Sequence, residues 1–122
     1  MKQTFVIPGR LVGLNEYINA CRRNRYAGAK IKKDAQTAIC WEIKRQKVKR
    51  FKNPVDVHIT WIEPNMKRDK DNISFAKKFI LDSLVQMQII QDDGWKWVNN
   101  LSDKFYVNKK EPRIIVTLDD KL

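Results

Sequence analysis

The sequence predicts a small α+β domain with a mixed β-sheet packed against two main helices, in the order β-α-β-α-β-β. Four short runs rich in β-branched and aromatic residues predict the strands, and two longer stretches with apolar residues at helical spacing predict the helices. With 122 residues, 43% of them hydrophobic and 32% charged, the chain suits one compact domain over residues 1–122.

The N-terminal half predicts one strand, one long loop and one helix. Residues 4–7 are β-prone, and the Pro-Gly pair that follows stops the strand. Residues 11–33 have no apolar period and many basic residues, so we expect an exposed basic loop. Asp34 is suited to begin a helix that extends to about Lys49, with Ala35, Ile39 and Ile43 on its apolar face.

Residues 55–63 alternate between apolar and polar side chains, which is typical of a half-buried strand. Val57, Ile59 and Trp61 fall on one face. His58, the single histidine of the chain, falls on the other face, which favours a surface or hydrogen-bonded role over catalysis. Enzymes that depend on several histidines are therefore disfavoured.

The second half of the chain predicts the remaining helix and two strands. Apolar residues recur at helical spacing from about residue 72 to residue 88, and a polar turn follows at residues 91–94. Residues 101–107 and 113–118 are β-prone and are separated by a short polar segment. This half therefore completes a mixed sheet.

The charge balance predicts a polyanionic partner. Twenty-five Lys and Arg against fourteen Asp and Glu give a net charge of +11, which favours nucleic acid. The alternative is a basic surface that serves only solubility. A membrane is disfavoured because no run of about 18 apolar residues occurs. The first residues do not resemble a signal peptide, and the two cysteines form no CxxC pair, so we expect a cytoplasmic protein with free thiols.

Two carboxylates stand directly before the second helix. Asp69 and Asp71 flank one lysine, and an extended backbone would aim both side chains to the same side. Such oxygen ligands suit Mg²⁺ or Mn²⁺. The alternative is structural, because Asp71 is also a good helix N-cap and Asp69 can simply be solvated.

On a helical projection, Asp71, Phe75, Lys78 and Asp82 share one stripe, whereas Lys77 points to a different side. Lys78 is thus a candidate for contacting a phosphate or stabilising a phosphoryl-transfer transition state. Its alternative role is a solvated lysine paired with Asp82. Asp82 lies about 16 Å from Asp71 along a continuous helix, too far to share a metal, so its expected role is structural or orienting.

The Asp92-Asp93 pair follows the helix and is a candidate for completing the acidic site. Adjacent residues in an extended turn point in opposite directions, so we expect one of them to be a direct ligand. The alternative is an ordinary acidic turn that contains Gly94.

These residues together resemble the D-x-D-N…K…D-x-L…D-D signature of the RusA family of Holliday junction resolvases. The matching positions are Asp69, Asp71, Asn72, Lys78, Asp82, Leu84, Asp92 and Asp93. The resemblance implies that Asp69, Asp71 and Asp93 bind Mg²⁺, that Lys78 is the essential lysine and that the protein is a homodimer. Asp92 is a candidate helper. The stretch between Asp71 and Lys78 is longer than in the family pattern, and an ungapped comparison would align the lysine with Phe75.

The expected function is a Mg²⁺-dependent endonuclease, with Mn²⁺ as a substitute, that resolves four-way DNA junctions by paired symmetric nicks in recombination and repair. The residues expected to contact DNA are Arg22, Arg23, Arg25, Lys30, Lys32, Lys33, Lys67 and Arg68. One alternative is a non-catalytic basic nucleic-acid-binding protein, and the other is a metal-dependent nuclease acting on other branched or single-stranded DNA. Acids clustered among so many bases favour the metal-dependent enzyme, because unneutralised carboxylates repel phosphates.

Overall fold

A computed structural model describes all 122 residues as a single α+β domain. The four strands are β1 (Lys2–Pro8), β2 (Val55–Glu63), β3 (Val98–Val107) and β4 (Arg113–Asp119). The four helices are α1 (Leu14–Arg23), α2 (Arg25–Arg45), α3 (Lys70–Ser74) and α4 (Lys77–Gln86). All four predicted strands are present, with ends that differ by a few residues. None of the helices has the length and apolar character that crossing a membrane requires.

The strands form one mixed sheet, as predicted, and their order in it is β1-β4-β2-β3. The pairs β1–β4 and β2–β4 are antiparallel, and β2–β3 is parallel. A parallel pair needs a long crossover connection, and α3 and α4 lie in that connection. The crossover therefore contains Asp69 and Asp71, which follow β2, and Asp92 and Asp93, which precede β3.

The core lies between one face of the sheet and the helices. Val57, Ile59 and Trp61 of β2 are almost fully buried, which confirms the predicted apolar face of this strand. Ile39 and Ile43 of α2 are buried in the same cluster, together with the apolar residues of α4. Burial of this apolar area supplies the main driving force for folding.

The prediction of a basic loop over residues 11–33 is wrong, because most of this segment is helical. It forms α1 and the first part of α2, and Asn24 caps α2 by accepting a hydrogen bond from the backbone N–H of Ala27 at 2.8 Å. The two helices approach closely at Gly28, where an added Cβ would lie 2.5 Å from Cys21 Sγ. The prediction overlooked the apolar period of α1, in which Leu14, Tyr17, Ile18 and Cys21 recur at helical spacing among polar and basic residues.

The predicted helix over residues 72–88 is divided into α3 and α4 at Phe75 and Ala76. The bonds Ala76 N to Ile73 O and Phe79 N to Ala76 O join residues three apart, so the chain tightens there. Ala76 is fully buried, and Phe75 and Phe79 pack against Tyr17 of α1. The stripe from Asp71 to Lys78 is therefore not continuous.

The two edges of the sheet differ. Gln46, just after α2, covers β1: its Oε1 accepts from Val6 N at 2.9 Å, and its Nε2 donates to Val6 O at 2.7 Å. Gln3 also exchanges hydrogen bonds with the backbone of Lys49. β3 pairs with β2 alone, so its outer edge is open. An open edge strand is a template for pairing with another chain.

Candidate active site

Glu63, the last residue of β2, is a buried acid with an exposed fraction of 4%. Its carboxylate accepts hydrogen bonds from Arg68 Nε at 3.1 Å, Arg68 Nη2 at 2.9 Å and Arg10 Nη2 at 3.1 Å. Buried carboxylates require such partners, because an unpaired charge in the core is costly. Two guanidinium groups therefore hold the chain just after β2, where residues 64–69 lead into α3.

Arg68 and Asn72 also hold the start of α1. Arg68 Nη1 donates to Leu11 O at 3.1 Å, and Asn72 Oδ1 accepts from the backbone N–H of Asn15 at 3.0 Å. That N–H lies in the first turn of α1, where backbone donors have no partner within the helix. Gly13 permits the close approach, since an added Cβ would lie 2.7 Å from Asn72 Oδ1. The acidic segment is thus anchored on both sides.

Asp69 and Asp71 lie between these anchors and are exposed. Both line one cleft of about 610 Å³, together with residues at the end of β3. Asp69 occupies the N-cap position of α3 without a side-chain cap bond, and Asp71 Oδ1 accepts a bond from the N–H of Asn72. The two side chains share this cleft although Lys70 and Asp71 are helical, whereas the sequence-based expectation assumed an extended backbone. Neither carboxylate forms an ion pair with a cationic side chain.

Lys78 connects α4 to the turn that contains Asp92 and Asp93. Its Nζ lies 3.0 Å from Asp82 Oδ1 and 3.6 Å from Asp93 Oδ2, and the side chain is 61% exposed. The hydrogen bond to Asp82, with a smaller contribution from Asp93, raises the pKa of Lys78 above its ordinary value. The ammonium group is therefore charged throughout the neutral range and accessible to a phosphate.

Lys77 has different surroundings, although it is adjacent in sequence. Its Nζ is 2.5 Å from Asp103 Oδ2, and Asp103 Oδ1 accepts a hydrogen bond from Trp61 Nε1 at 2.8 Å. Both charged side chains of this pair are about four-fifths buried. Lys77 thus ties α4 to the sheet, and the geometry favours Lys78 as the lysine available to DNA.

Asp82 joins α2 to α4. Besides its ion pair with Lys78, the carboxylate accepts a hydrogen bond from Gln36 Nε2 at 3.4 Å and lies 3.9 Å from Lys32 Nζ. This position suits the orienting role that the sequence suggested for Asp82.

Asp93 lines a second cleft, of about 370 Å³, with Trp95 and the first residues of β3, while Asp92 is exposed. Leu101 belongs to this second cleft and Phe105 to the cleft of Asp69 and Asp71, so the two clefts lie toward opposite ends of β3. Leu101 and Phe105 are about 13 Å apart along the strand. Accordingly, no three acidic, histidine or cysteine side chains of the chain lie close enough together to hold a metal ion. One chain does not assemble the predicted set of three aspartates.

Asp69 and Asp71 by themselves fit a hard divalent cation. Mg²⁺ prefers oxygen ligands and is often held by one or two carboxylates together with substrate phosphates. The two residues share one cleft and are accessible there. The third ligand implied by the resemblance, Asp93, lies in the other cleft.

Most of the basic residues expected to contact DNA are exposed on helices. Arg22 and Arg23 end α1, and Lys30 pairs with Asp34 at 2.8 Å. The remaining exposed members of the set are Arg25, Lys32, Lys33 and Lys67. Arg68 differs, because its guanidinium group binds Glu63 and its side chain is only 14% exposed.

Three charged residues of this region were not recognised from the sequence: Arg10, Glu63 and Asp103. Each forms an ion pair that joins segments close in space. Glu63 carried one signal, because it ends a strand whose neighbouring residues are apolar, and a charge in that position suggests a buried pair.

Comparison with known proteins gives one family match. The model of the family described as endodeoxyribonuclease RusA matches residues 7–119, which is almost the whole chain and includes every element that borders the two clefts. No individually curated protein matches the chain significantly.

Proposed function

Because the chain belongs to the RusA family of endodeoxyribonucleases, we propose that it is a Mg²⁺-dependent nuclease that resolves four-way DNA junctions in recombination and repair. The observation that carries the proposal is the pair Asp69 and Asp71, two accessible carboxylates anchored in one cleft of a protein with a net charge of +11. Bare carboxylates repel DNA phosphates unless a cation lies between them. This supports a metal-dependent nuclease over a non-catalytic binding protein.

In this proposal Asp69 and Asp71 hold Mg²⁺, and Mn²⁺ can substitute for it. The ion would supply an activated water and would screen the charge of the phosphodiester. Lys78 lies beside Asp93, so the lysine that stabilises the negative charge on the attacked phosphate comes, together with Asp93, from a second copy of the chain, and its ammonium group is exposed and charged. Asp82 keeps this ammonium group oriented from one side.

We further propose a homodimer in which β3 pairs with β3 of a second copy. The outer edge of β3 is open, and the two clefts lie toward its opposite ends. Antiparallel pairing about a twofold axis near Asp103 would bring the partner's Asp93 toward Asp69 and Asp71 of this chain. This arrangement would complete the set of three aspartates that one chain leaves divided. It would also present two equivalent sites to a symmetric junction, as paired nicks require.

The experiment that tests the function is cleavage of a synthetic four-way junction with each strand labelled in turn. We expect symmetric nicks with Mg²⁺ or Mn²⁺ and none with a chelator. Asp71→Asn should lower the rate at least about a hundredfold while junction binding persists, because it removes a ligand charge without changing the basic surface. Glu111→Gln, in the exposed turn before β4, is the matched control and should cleave normally.

Two results would contradict parts of the proposal. Binding without cleavage in either metal would exclude a metal-dependent nuclease. Equal cleavage of the junction and of a linear duplex with the same arm sequence would exclude junction selectivity and favour a less specific nuclease.

A further inference from the structure

We propose that the Glu63–Arg68 ion pair positions Asp69 and Asp71, and that Arg68 acts through these carboxylates rather than by contacting DNA. The inference rests on the proposed nuclease function. It states that part of the affinity of the Asp69–Asp71 site for Mg²⁺ comes from residues that do not bind the ion. It also replaces the DNA-binding role that the sequence suggested for Arg68.

The hydrogen bonds of Arg68 leave its guanidinium group little capacity for a phosphate. Nε and Nη2 face the two oxygens of Glu63, and Nη1 faces Leu11 O. Moving Arg68 onto DNA would leave the buried carboxylate of Glu63 with Arg10 as its single partner, and breaking a buried ion pair is strongly unfavourable. Lys67, one residue earlier, is exposed and is the better placed cation for a phosphate.

The second anchor lies on the other side of the two aspartates. Asn72 binds the N-terminal turn of α1, and Gly13 packs so closely that an added Cβ would be 2.7 Å from Asn72 Oδ1 and 3.0 Å from Arg68 Nη1. Residues 69–71 are all that lies between the anchors. The backbone of residues 69–71, from which both carboxylates project, therefore cannot shift far without disturbing the part-buried bonds of Arg68 or the bond of Asn72.

The consequence for function is preorganisation. A metal ion binds more tightly when its ligands are held in place before it arrives, and outer partners of the ligands commonly contribute about tenfold to a hundredfold in affinity or activity. Arg68 and Glu63 are positioned to supply this contribution, because Arg68 directly precedes Asp69 and is attached to the end of β2.

Glu63→Gln is the decisive variant, because it keeps the size of the side chain and removes the charge that holds Arg68. We expect the Mg²⁺ concentration for half-maximal junction cleavage to rise about tenfold or more. The dissociation constant for the junction, measured in Ca²⁺, should stay within twofold of the wild-type value. An unchanged metal requirement would overturn the proposal, and stronger junction binding would show that the released Arg68 contacts DNA.

Arg68→Lys and Arg68→Ala separate the two roles further. Lysine cannot bridge both oxygens of Glu63, so we expect both variants to raise the metal requirement alike. If Arg68 is a phosphate contact, Arg68→Lys should retain most of the affinity that Arg68→Ala loses, which would count against positioning. Lys67→Ala is the matched comparison: it should weaken junction binding without changing the metal requirement.

Amide hydrogen exchange over residues 68–73 provides a readout that needs no nuclease activity. Exchange in Glu63→Gln should be at least about tenfold faster than in the wild type, because the anchor opens more often. Unchanged exchange would overturn the positioning role even in an active enzyme.

Should Glu63→Gln fail to fold, Gly13→Ala crowds Asn72 from the other side, and we expect the same changes in metal requirement and exchange for this variant. If the wild type cleaves no junction, the nuclease proposal fails, whereas the exchange experiment still decides whether Glu63 anchors the segment.

Discussion

Lys77 and Lys78 show how two identical neighbouring side chains take different roles. Lys77 is four-fifths buried against Asp103, which also accepts the indole N–H of Trp61. Lys78 is largely exposed and reaches Asp82 and Asp93. The first lysine is thus part of the packing between α4 and the sheet, and the second is accessible to a substrate.

Alanine substitution at the two positions should therefore have opposite effects. Lys78→Ala is expected to slow single-turnover cleavage about a hundredfold or more. It should change the free energy of unfolding by less than about 0.5 kcal/mol, because exposed ion pairs stabilise little. Lys77→Ala should cost about 1–3 kcal/mol of stability by leaving Asp103 without its cation, while cleavage by the folded protein persists. Labelled junctions and urea unfolding measure the two quantities, and the reverse pattern would assign the catalytic role to Lys77.

The secondary-structure elements differ in how their exposed backbone is protected. β1 is an edge strand, but the side chain of Gln46 satisfies both the N–H and the C=O of Val6, as a neighbouring strand would. β3 is the other edge strand and has no such cover. This contrast is the reason for assigning the dimer contact to β3 and not to β1.

Gln46→Ala tests the cover of β1. Two part-buried backbone groups of Val6 lose their partner, so the free energy of unfolding should fall by about 1–2 kcal/mol. Lys44→Ala, at an exposed position near the end of α2, should change the free energy of unfolding by less than about 0.5 kcal/mol. Urea unfolding monitored by circular dichroism gives both values. Equal stability of Gln46→Ala and the wild type would show that water replaces the glutamine without cost.

At the scale of the whole molecule, the three aspartates are divided between two clefts, so a complete site would need a second copy of the chain. Asp69 and Asp71 line the cleft at one end of β3, and Asp93 lines the cleft at the other end. In a twofold dimer formed through β3, the cleft with Asp69 and Asp71 of one chain would lie next to the cleft with Asp93 of the other. The catalytic unit in this proposal is therefore the dimer.

Mixing two inactive variants tests whether the site is shared. Asp71→Asn and Asp93→Asn should each be inactive as homodimers. After they are unfolded and refolded together, random pairing makes about half of the dimers mixed, and each mixed dimer contains one site with all three aspartates. We expect recovery of about a quarter of the wild-type sites, with single nicks in place of paired ones. Absence of recovery, with mixed dimers verified by mass spectrometry, would show that the site belongs to one chain.

The sequence by itself was sufficient for the features that depend on local pattern. The alternation at residues 55–63 identified the buried face of β2, and the signature that extends from Asp69 to Asp93 identified the family that the match over residues 7–119 shows. These predictions succeed because strand periodicity and a family signature are both expressed directly in the order of residues along the chain. The role of Asp69 and Asp71 as metal ligands stays a prediction.

The tertiary structure decided the features that depend on contacts between distant segments. The two helices of the basic stretch pack together where Gly28 meets Cys21, and the second predicted helix is divided where Ala76 is buried. The separation of Asp93 from Asp69 also followed from the path of β3. In the same way, Arg68 looked like a free cation until Glu63 was placed beside it. Charge is visible in a sequence, but whether that charge is available depends on burial and on partners that only the folded chain brings together.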